Sequence, residues 1–122
     1  GSLEPVRDMN YSADTAAGFI AAAESENGIG DVFNIGTGTG FSIGELIDKI
    51  KSALNKSDLP VIEDKNRIRP SKSEVMKLIC SNEKAKKVLS WEPKISIDRG
   101  LENVISFIQE HPRYYKPDMY TI

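Results

Sequence analysis

Cysteine and histidine are almost absent: the 122 residues include one of each, Cys80 and His111. A single cysteine forms no internal disulfide, which is typical of a reducing compartment, and we therefore expect a cytoplasmic location. The two residues are also too small a set for a His/Cys zinc site. We expect Cys80 to be a buried, inert thiol and His111 to lie at the surface near a helix end.

A basic excess, a long apolar run and a visible signal peptide are absent too. Sixteen Lys and Arg residues stand against 18 Asp and Glu residues, a net charge of -2, so we expect no general nucleic-acid partner. No apolar run approaches the roughly 18–20 residues that cross a bilayer, and we expect no membrane partner. The composition, 39% hydrophobic and 28% charged, is typical of one globular domain with a modest core. Gly1 and Ser2 resemble an expression-tag remnant, so residues 3–122 are taken as the domain.

The sequence has no complete catalytic motif. No tyrosine is followed four positions later by lysine, and neither a G-x-S-x-G elbow nor a P-loop occurs. The glycine-rich stretch 36–40 has the context of a dinucleotide-binding turn, but Phe41 and Ile43 stand where the G-x-G-x-x-G pattern requires glycine. Glu45 would also place negative charge where a phosphate should bind. We therefore interpret residues 36–40 as a tight connecting turn and expect no cofactor site in this chain.

Capping signals predict the starts of three helices. Asp14 is predicted to cap a first helix from Thr15 to about Ser25. Ser42 and Glu45 form the capping box of a second helix, and Ser96 is predicted to cap the last one. Apolar residues at helical spacing predict the inner faces of the second helix (Ile43, Leu46, Ile47, Ile50 and Leu54) and of the last (Ile97, Leu101, Val104, Ile105 and Ile108).

The elements between these helices are predicted to be short. β-Forming residues predict two strands, Asp31–Ile35 and Leu59–Glu63, which can pair in parallel. Short helices are predicted near Glu74–Leu78 and from about Asn82 to Leu89, and Trp91 is predicted to be a core residue before the last helix. The pattern predicts a small mixed α/β lobe, mostly helical with two or three short strands. So small a sheet is poorly stable alone, which suggests that it continues outside this chain.

Four segments of the chain carry a family pattern in one order. They are residues 7–15 with Gly18 and Phe19, residues 32–38 running into 42–46, residues 67–70 with 73–75, and residues 82–94 with Gly100 and Leu101. Together they resemble the C-terminal region of extended short-chain dehydrogenase/reductases, the NAD-dependent epimerases and dehydratases of nucleotide sugars. Residues 69–75 and 115–117 look most similar to UDP-N-acetylglucosamine 4,6-dehydratases, with dTDP-glucose 4,6-dehydratases and UDP-sugar 4-epimerases as close alternatives.

The resemblance implies a substrate, a cofactor and a missing part. The substrate is a UDP- or dTDP-linked sugar, and the parent enzyme is a lyase of the 4,6-dehydratase type that uses NAD. A Rossmann domain before Leu3 would hold the cofactor loop and the catalytic Tyr-x-x-x-Lys pair, so the chain is expected to lack that domain. We therefore expect this chain alone to bind no NAD and to be inactive.

The resemblance also implies three site residues. Family enzymes hold the substrate's diphosphate with arginines of the C-terminal region, and Arg7 and Arg69 match these positions. Guanidinium suits the role because it is always charged and presents a planar fork of donors to phosphate oxygens. Glu74 matches an acidic residue that binds the nucleoside ribose.

Two positions depart from the family pattern, since Ser12 and Ala16 stand where valine is common. We interpret both as a loss of apolar bulk that improves solubility, on a face that a partner domain would cover. An exposed apolar face favours self-association, so a homo-oligomer stays open. Two other functions stay open. One is an autonomous or engineered interaction scaffold without catalysis, and the other, the least favoured, is a small nucleotide-binding protein that uses the turn at 36–40.

Overall fold

A three-stranded mixed sheet has the first strand of the chain at its centre. The computed structural model describes residues 1–62, 64 and 74–116, and its strands are β1 (Val6–Asp8), β2 (Gly40–Ser42) and β3 (Lys77–Leu78). β1 pairs antiparallel with β2 and parallel with β3, so that Arg7 lies opposite Phe41 on one side and Leu78 on the other. Because β1 is paired along both edges, its backbone is held more firmly than that of its neighbours.

Four helices account for most of the remaining regular structure in the described residues. They are α1 (Ser12–Glu24), α2 (Ile43–Ala53), α3 (Glu83–Leu89) and α4 (Ile97–Glu110), with short 3₁₀ turns at Glu26–Gly28 and Pro112–Tyr114. The small, mostly helical α/β architecture predicted from the sequence is confirmed. None of the helices in the described part of the chain is both long and apolar enough to cross a membrane.

Two of the three predicted helix caps are confirmed. The Ser42 Oγ accepts from the Glu45 amide at 3.1 Å, and the Glu45 carboxylate accepts from the Ser42 amide at 2.7 Å, which completes the capping box of α2. Ser96 Oγ accepts from the Arg99 amide at the start of α4. The inner face of α2 is half-buried as predicted, whereas Val104 and Ile108 of the predicted α4 face are exposed.

The prediction that Asp14 caps α1 is wrong. The helix begins at Ser12, two residues before Asp14, and its N-cap Tyr11 makes no side-chain capping bond. Asp14 is buried and its Oδ2 accepts from the amide of Ile95 at 2.9 Å. The carboxylate that the local sequence assigned to the helix N-terminus therefore accepts a hydrogen bond from a residue 81 positions away instead.

The strand predictions are also wrong in position. Asp31–Ile35 forms no strand, and the described residues of Leu59–Glu63, which are 59–62, form none either. Within Glu74–Leu78, predicted as a helix, Lys77 and Leu78 form β3 instead. A strand forms only where a neighbouring strand supplies hydrogen bonds. In this fold β3 takes the second edge of β1, and neither Asp31–Ile35 nor residues 59–62 pair with it. Residues 67–73, whose polar composition around Pro70 predicts a loop, lie outside the described residues.

The hydrophobic core is small and lies where α3 meets α1. Ala85, Leu89 and Trp91 are buried, as predicted for Trp91, and half-buried side chains pack on them: Ala21, Ala22, Phe33, Ile35 and Val88. Many large apolar side chains remain exposed, including Phe19 at 72%, Ile29 at 84% and Val32 at 79%. Ser12 and Ala16 are exposed on α1 as well. A considerable apolar surface is thus left uncovered in this part of the chain.

Candidate functional site

An open cleft of about 490 Å³ lies beside the sheet, where β1 and the segment after β3 approach residues 33–36. Its polar lining comes from three segments of the chain: Arg7, Asp8 and Asn10 at the end of β1, Asn34 and Gly36 before the glycine-rich turn, and Cys80 and Ser81 after β3. Phe33, Ile35, Leu78 and Ile79 supply its apolar wall. The cleft therefore combines charged and neutral hydrogen-bonding groups with apolar surface, which is the usual make-up of a small-molecule site.

Among the described residues that line this cleft, Arg7 is the cation, and it is paired with Glu74. Its Nη2 donates to Glu74 Oε1 at 2.9 Å, and its Nη1 donates to the carbonyl oxygen of Val6 at 2.9 Å. The side chains are 23% and 16% exposed, so the pair is partly shielded from water and still reachable from the cleft. Two of the three site residues predicted from the sequence are thus in contact. Arg69, the third, lies outside the described residues.

Asp8, which the sequence analysis did not single out, holds the glycine-rich turn. Its Oδ1 accepts from the amide of Thr37 at 3.0 Å and from the hydroxyl of Thr37 at 2.6 Å. Its Oδ2 accepts from the amides of Gly38 at 2.9 Å and Cys80 at 3.2 Å. One carboxylate therefore joins β1, the turn and the segment after β3. The glycine-rich turn is the sequence feature that could have identified Asp8, because main-chain amides that converge in a turn need an acceptor.

Close packing explains one glycine of the turn, and backbone conformation explains another. A Cβ on Gly36 would lie 2.4 Å from the Cβ of Cys80, and Gly38 has a φ of +75°, a conformation that glycine adopts without strain. The carbonyl oxygen of Gly36 accepts from Asn82 Nδ2 at 2.8 Å. The backbone of the turn therefore packs directly against the segment after β3.

Cys80 lies in the cleft wall and is half-buried rather than fully buried. Burial raises the pKa of the Cys80 thiol, and the negative charge of Asp8 raises it further. Cys80 therefore stays protonated at neutral pH, and a protonated thiol is a weak nucleophile. In the described ranges 1–62, 64 and 74–116, no group of three or more His, Cys, Asp or Glu residues is arranged to hold a metal ion.

Comparison with known sequences gives a consistent set of relatives. A model of the family described as GDP-mannose 4,6 dehydratase matches residues 1–104. The dTDP-4-dehydro-6-deoxyglucose reductase of Escherichia coli is 31% identical over 109 residues, which cover 89% of this chain and 33% of that protein. The chain thus spans about a third of the length of the curated relatives that it matches.

Solved structures agree with the sequence comparison. The UDP-glucose 4-epimerase of Thermotoga maritima, crystallised with UDP-glucose, matches with a TM-score of 0.77 and 33% identity over 92% of this chain and 34% of its own. The UDP-glucose 4-epimerase of Bifidobacterium longum, in complex with NAD+ and UDP, also has a TM-score of 0.77, with 26% identity over 91% of this chain and 32% of its own.

Proposed function

The chain belongs to the GDP-mannose 4,6 dehydratase family, within the NAD-dependent epimerases and dehydratases of nucleotide sugars, and on that premise we propose that it is the substrate-binding lobe of such an enzyme. Its cleft binds the diphosphate of a nucleotide-diphosphate sugar. The observation that carries the proposal is the placement of Arg7, which lies on the doubly paired strand β1 and lines a cleft of about 490 Å³.

The geometry of Arg7 suits a diphosphate ligand. Its two hydrogen bonds to Val6 and Glu74 use two of the five N–H donors of a guanidinium. The remaining donors are available to phosphate oxygens, which guanidinium binds in a planar, bidentate way. The firmly held backbone of β1 fixes where the phosphates bind, and hence where the attached sugar is presented for reaction.

Glu74 and Arg69 complete the proposed site. In the free chain the Glu74 carboxylate neutralises Arg7. When a diphosphate binds, it takes the remaining donors and then competes with Glu74 for the guanidinium, and the released carboxylate accepts hydrogen bonds from the hydroxyls of the nucleoside ribose. Arg69, five residues before Glu74 in the sequence, supplies the second cation, so that two guanidinium groups share the charge of two linked phosphates.

NAD binds to another part of the parent enzyme in this proposal. The residues of the glycine-rich turn do not fit the pyrophosphate of a dinucleotide, because the amides of Thr37 and Gly38 already donate to the Asp8 carboxylate. Relatives about three times as long as this chain have room for a separate cofactor domain. The chain alone is therefore inactive.

The cofactor domain covers the exposed apolar surface beside α1 in the parent enzyme. Phe19, Ile29 and Val32 are all more than two-thirds exposed, which is costly for a surface that stays in water. Val32 also belongs to the β-forming run Asp31–Ile35, which has no strand partner within the described part of the chain. A strand from the cofactor domain would pair with this run and bury the same surface.

The parent reaction is proposed as 4,6-dehydration, and 4-epimerisation of a UDP-sugar is the second candidate. The family model that matches residues 1–104 supports a dehydratase. The similarity to an epimerase crystallised with UDP-glucose, at 33% identity, favours the second reaction. Both reactions begin from a bound nucleotide-diphosphate sugar, so the role of this lobe is the same in each.

Calorimetric titration of the chain with UDP, UDP-N-acetylglucosamine and NAD tests the proposal. We expect weak binding of UDP and the UDP-sugar, no binding of NAD, and a loss of about tenfold or more in UDP affinity on Arg7→Gln. Arg99→Gln is the matched control, because Arg99 lies on α4 and its exposed side chain pairs with Glu102 away from the cleft. Circular dichroism would verify that both variants are folded.

Three results would contradict the proposal. A chain that binds none of the three ligands would favour the interaction scaffold. Binding of NAD would favour a nucleotide site in the turn at 36–40. An equal loss of UDP affinity in the Arg99→Gln control would show that the effect of Arg7 is not local to the cleft.

A further inference from the structure

The glycine-rich turn has the geometry of an anion site, and its anion is a residue of the same chain. The main-chain amides of Thr37, Gly38 and Cys80 and the Thr37 hydroxyl all donate to the carboxylate of Asp8, at 2.6–3.2 Å. Each carboxylate oxygen takes two of these four bonds. Converging main-chain amides next to a residue of positive φ, here Gly38, form the concave arrangement that binds phosphate in other proteins.

Asp8 also stands beside the cation of the cleft. It follows Arg7 directly in β1, and both residues line the same cleft. A phosphate group entering the cleft thus meets Arg7 and Asp8, whereas Thr37 and Gly38, whose amides bind the Asp8 carboxylate, are not among the residues that line the cleft. The guanidinium keeps donors beyond its bonds to Val6 and Glu74. The amides of the turn are taken up by Asp8, and the negative charge of Asp8 repels a second anion at the same place.

We propose that Asp8 is the internal anion of the Gly36–Gly38 turn, which closes this turn to phosphate and directs the phosphates of a ligand to Arg7. Asp8 is therefore a specificity-determining and positioning residue of the cleft. The hydrogen bonds between Asp8 and the turn do not depend on which substrate binds, whereas the effect of Asp8 on ligand binding rests on the proposed function.

Substitution of Asp8 by asparagine differs in its consequences from substitution by alanine. The Asp8→Asn side chain carries an NH₂ group in place of one carboxylate oxygen, and in either orientation this group would face two donors. Asp8→Asn therefore leaves donors of the turn without acceptors. Asp8→Ala removes the anion and leaves a donor-lined space that formate or inorganic phosphate can enter.

The first experiment uses Asp8→Ala and needs no nucleotide. Sodium formate and sodium phosphate are titrated at constant ionic strength while the amide resonances of Thr37, Gly38 and Cys80 are followed by NMR. We expect these three amides to shift with saturation in the millimolar range in Asp8→Ala, and not in the wild-type chain. Asp48→Ala is the matched control, since Asp48 lies on α2, away from the turn.

A destabilised variant would still give a decisive result. If Asp8→Ala is destabilised, formate and phosphate should raise its unfolding temperature and leave that of Asp48→Ala unchanged, because a ligand of the native state stabilises it. The proposal is overturned if neither anion shifts the turn amides or stabilises Asp8→Ala. It is equally overturned if phosphate shifts the same amides in the wild-type chain.

The second experiment connects Asp8 to ligand binding. We expect Asp8→Asn to weaken UDP binding about tenfold, because β1 is no longer tied firmly to the turn and Arg7 loses its fixed position, a loss that exceeds the relief of charge repulsion. Asp48→Asn should leave UDP binding unchanged. If the wild-type chain does not bind UDP, the proposed function fails, and the anion titration still decides whether Asp8 closes the turn. If UDP binds and Asp8→Asn has the affinity of Asp48→Asn, the directing role of Asp8 is wrong.

Discussion

The indole Nε1 of Trp91 donates a hydrogen bond of 3.1 Å to the main-chain carbonyl oxygen of Asp14, 77 residues away in the sequence. The carboxylate of the same aspartate accepts from the amide of Ile95. These two bonds attach the turn between α3 and α4 to the first turn of α1. Since Trp91 is only 5% exposed and Asp14 is also buried, both bonds are shielded from competing water.

Asp14→Ala should therefore destabilise the fold by about 2 kcal/mol, because it leaves the Ile95 amide without an acceptor in a part-buried position. Asp14→Asn keeps one oxygen acceptor and should cost less. Urea unfolding followed by Trp91 fluorescence measures both changes. Asp48→Ala, on α2 and away from this contact, is the control, and an equal loss of stability in that variant would contradict the account.

Gly36→Ala and Gly44→Ala should have opposite consequences. A Cβ at residue 36 would lie 2.4 Å from the Cβ of Cys80, whereas at residue 44, inside α2, the nearest atom would be 3.6 Å away. We expect Gly36→Ala to cost about 2 kcal/mol or more through overpacking. Gly44→Ala should be neutral or stabilising by up to about 1 kcal/mol, since alanine favours helix. Thermal unfolding compares the two, and a tolerated Gly36→Ala would show that the turn is looser than its contacts indicate.

The capping box should make stability depend on pH. Hydrogen bonds from the Ser42 amide and then the Ser42 hydroxyl hold the pKa of Glu45 below its ordinary value. A lowered pKa in the folded chain adds stability above the ordinary glutamate pKa of about 4.3, and this stability is lost as the pH falls through the lowered value. The difference in unfolding free energy between the wild type and Glu45→Ala should shrink from pH 7 to pH 3. Glu110→Ala, at the exposed C-terminal end of α4, is the control. A difference that does not change with pH would contradict the prediction.

Valine at positions 12 and 16 should promote self-association. Ser12 and Ala16 are exposed on α1, the helix that also carries exposed Phe19 and Ile20. The double substitution Ser12→Val, Ala16→Val enlarges this apolar surface, which lowers solubility and favours dimers. Sedimentation velocity at increasing concentration measures the effect, with the double substitution Ser12→Thr, Ala16→Thr as a control of similar volume. If solubility and oligomeric state do not change, Ser12 and Ala16 cannot be interpreted as residues that reduce the apolar surface of α1.

The sequence by itself determined most of the helices, the core tryptophan and the family. The capping box of α2, the Ser96 cap of α4 and the amphipathic face of α2 follow from residues within one or two turns of each other, because helical hydrogen bonds join residues four apart. Arg7 was also identified from sequence, since its motif is local. In the folded chain it lies in the cleft, although its role as a phosphate ligand is a proposal.

Tertiary structure alone decided the strands and the partners of the charged residues. β1 pairs with segments about 35 and 70 residues further along the chain, and no local pattern shows which β-forming run will find that edge. The same holds for the carboxylates of Asp8, Asp14 and Glu74, whose donors lie 29 to 81 residues away. An aspartate can cap a helix or fill a turn with equal chemistry, so only the fold determines which donors reach it.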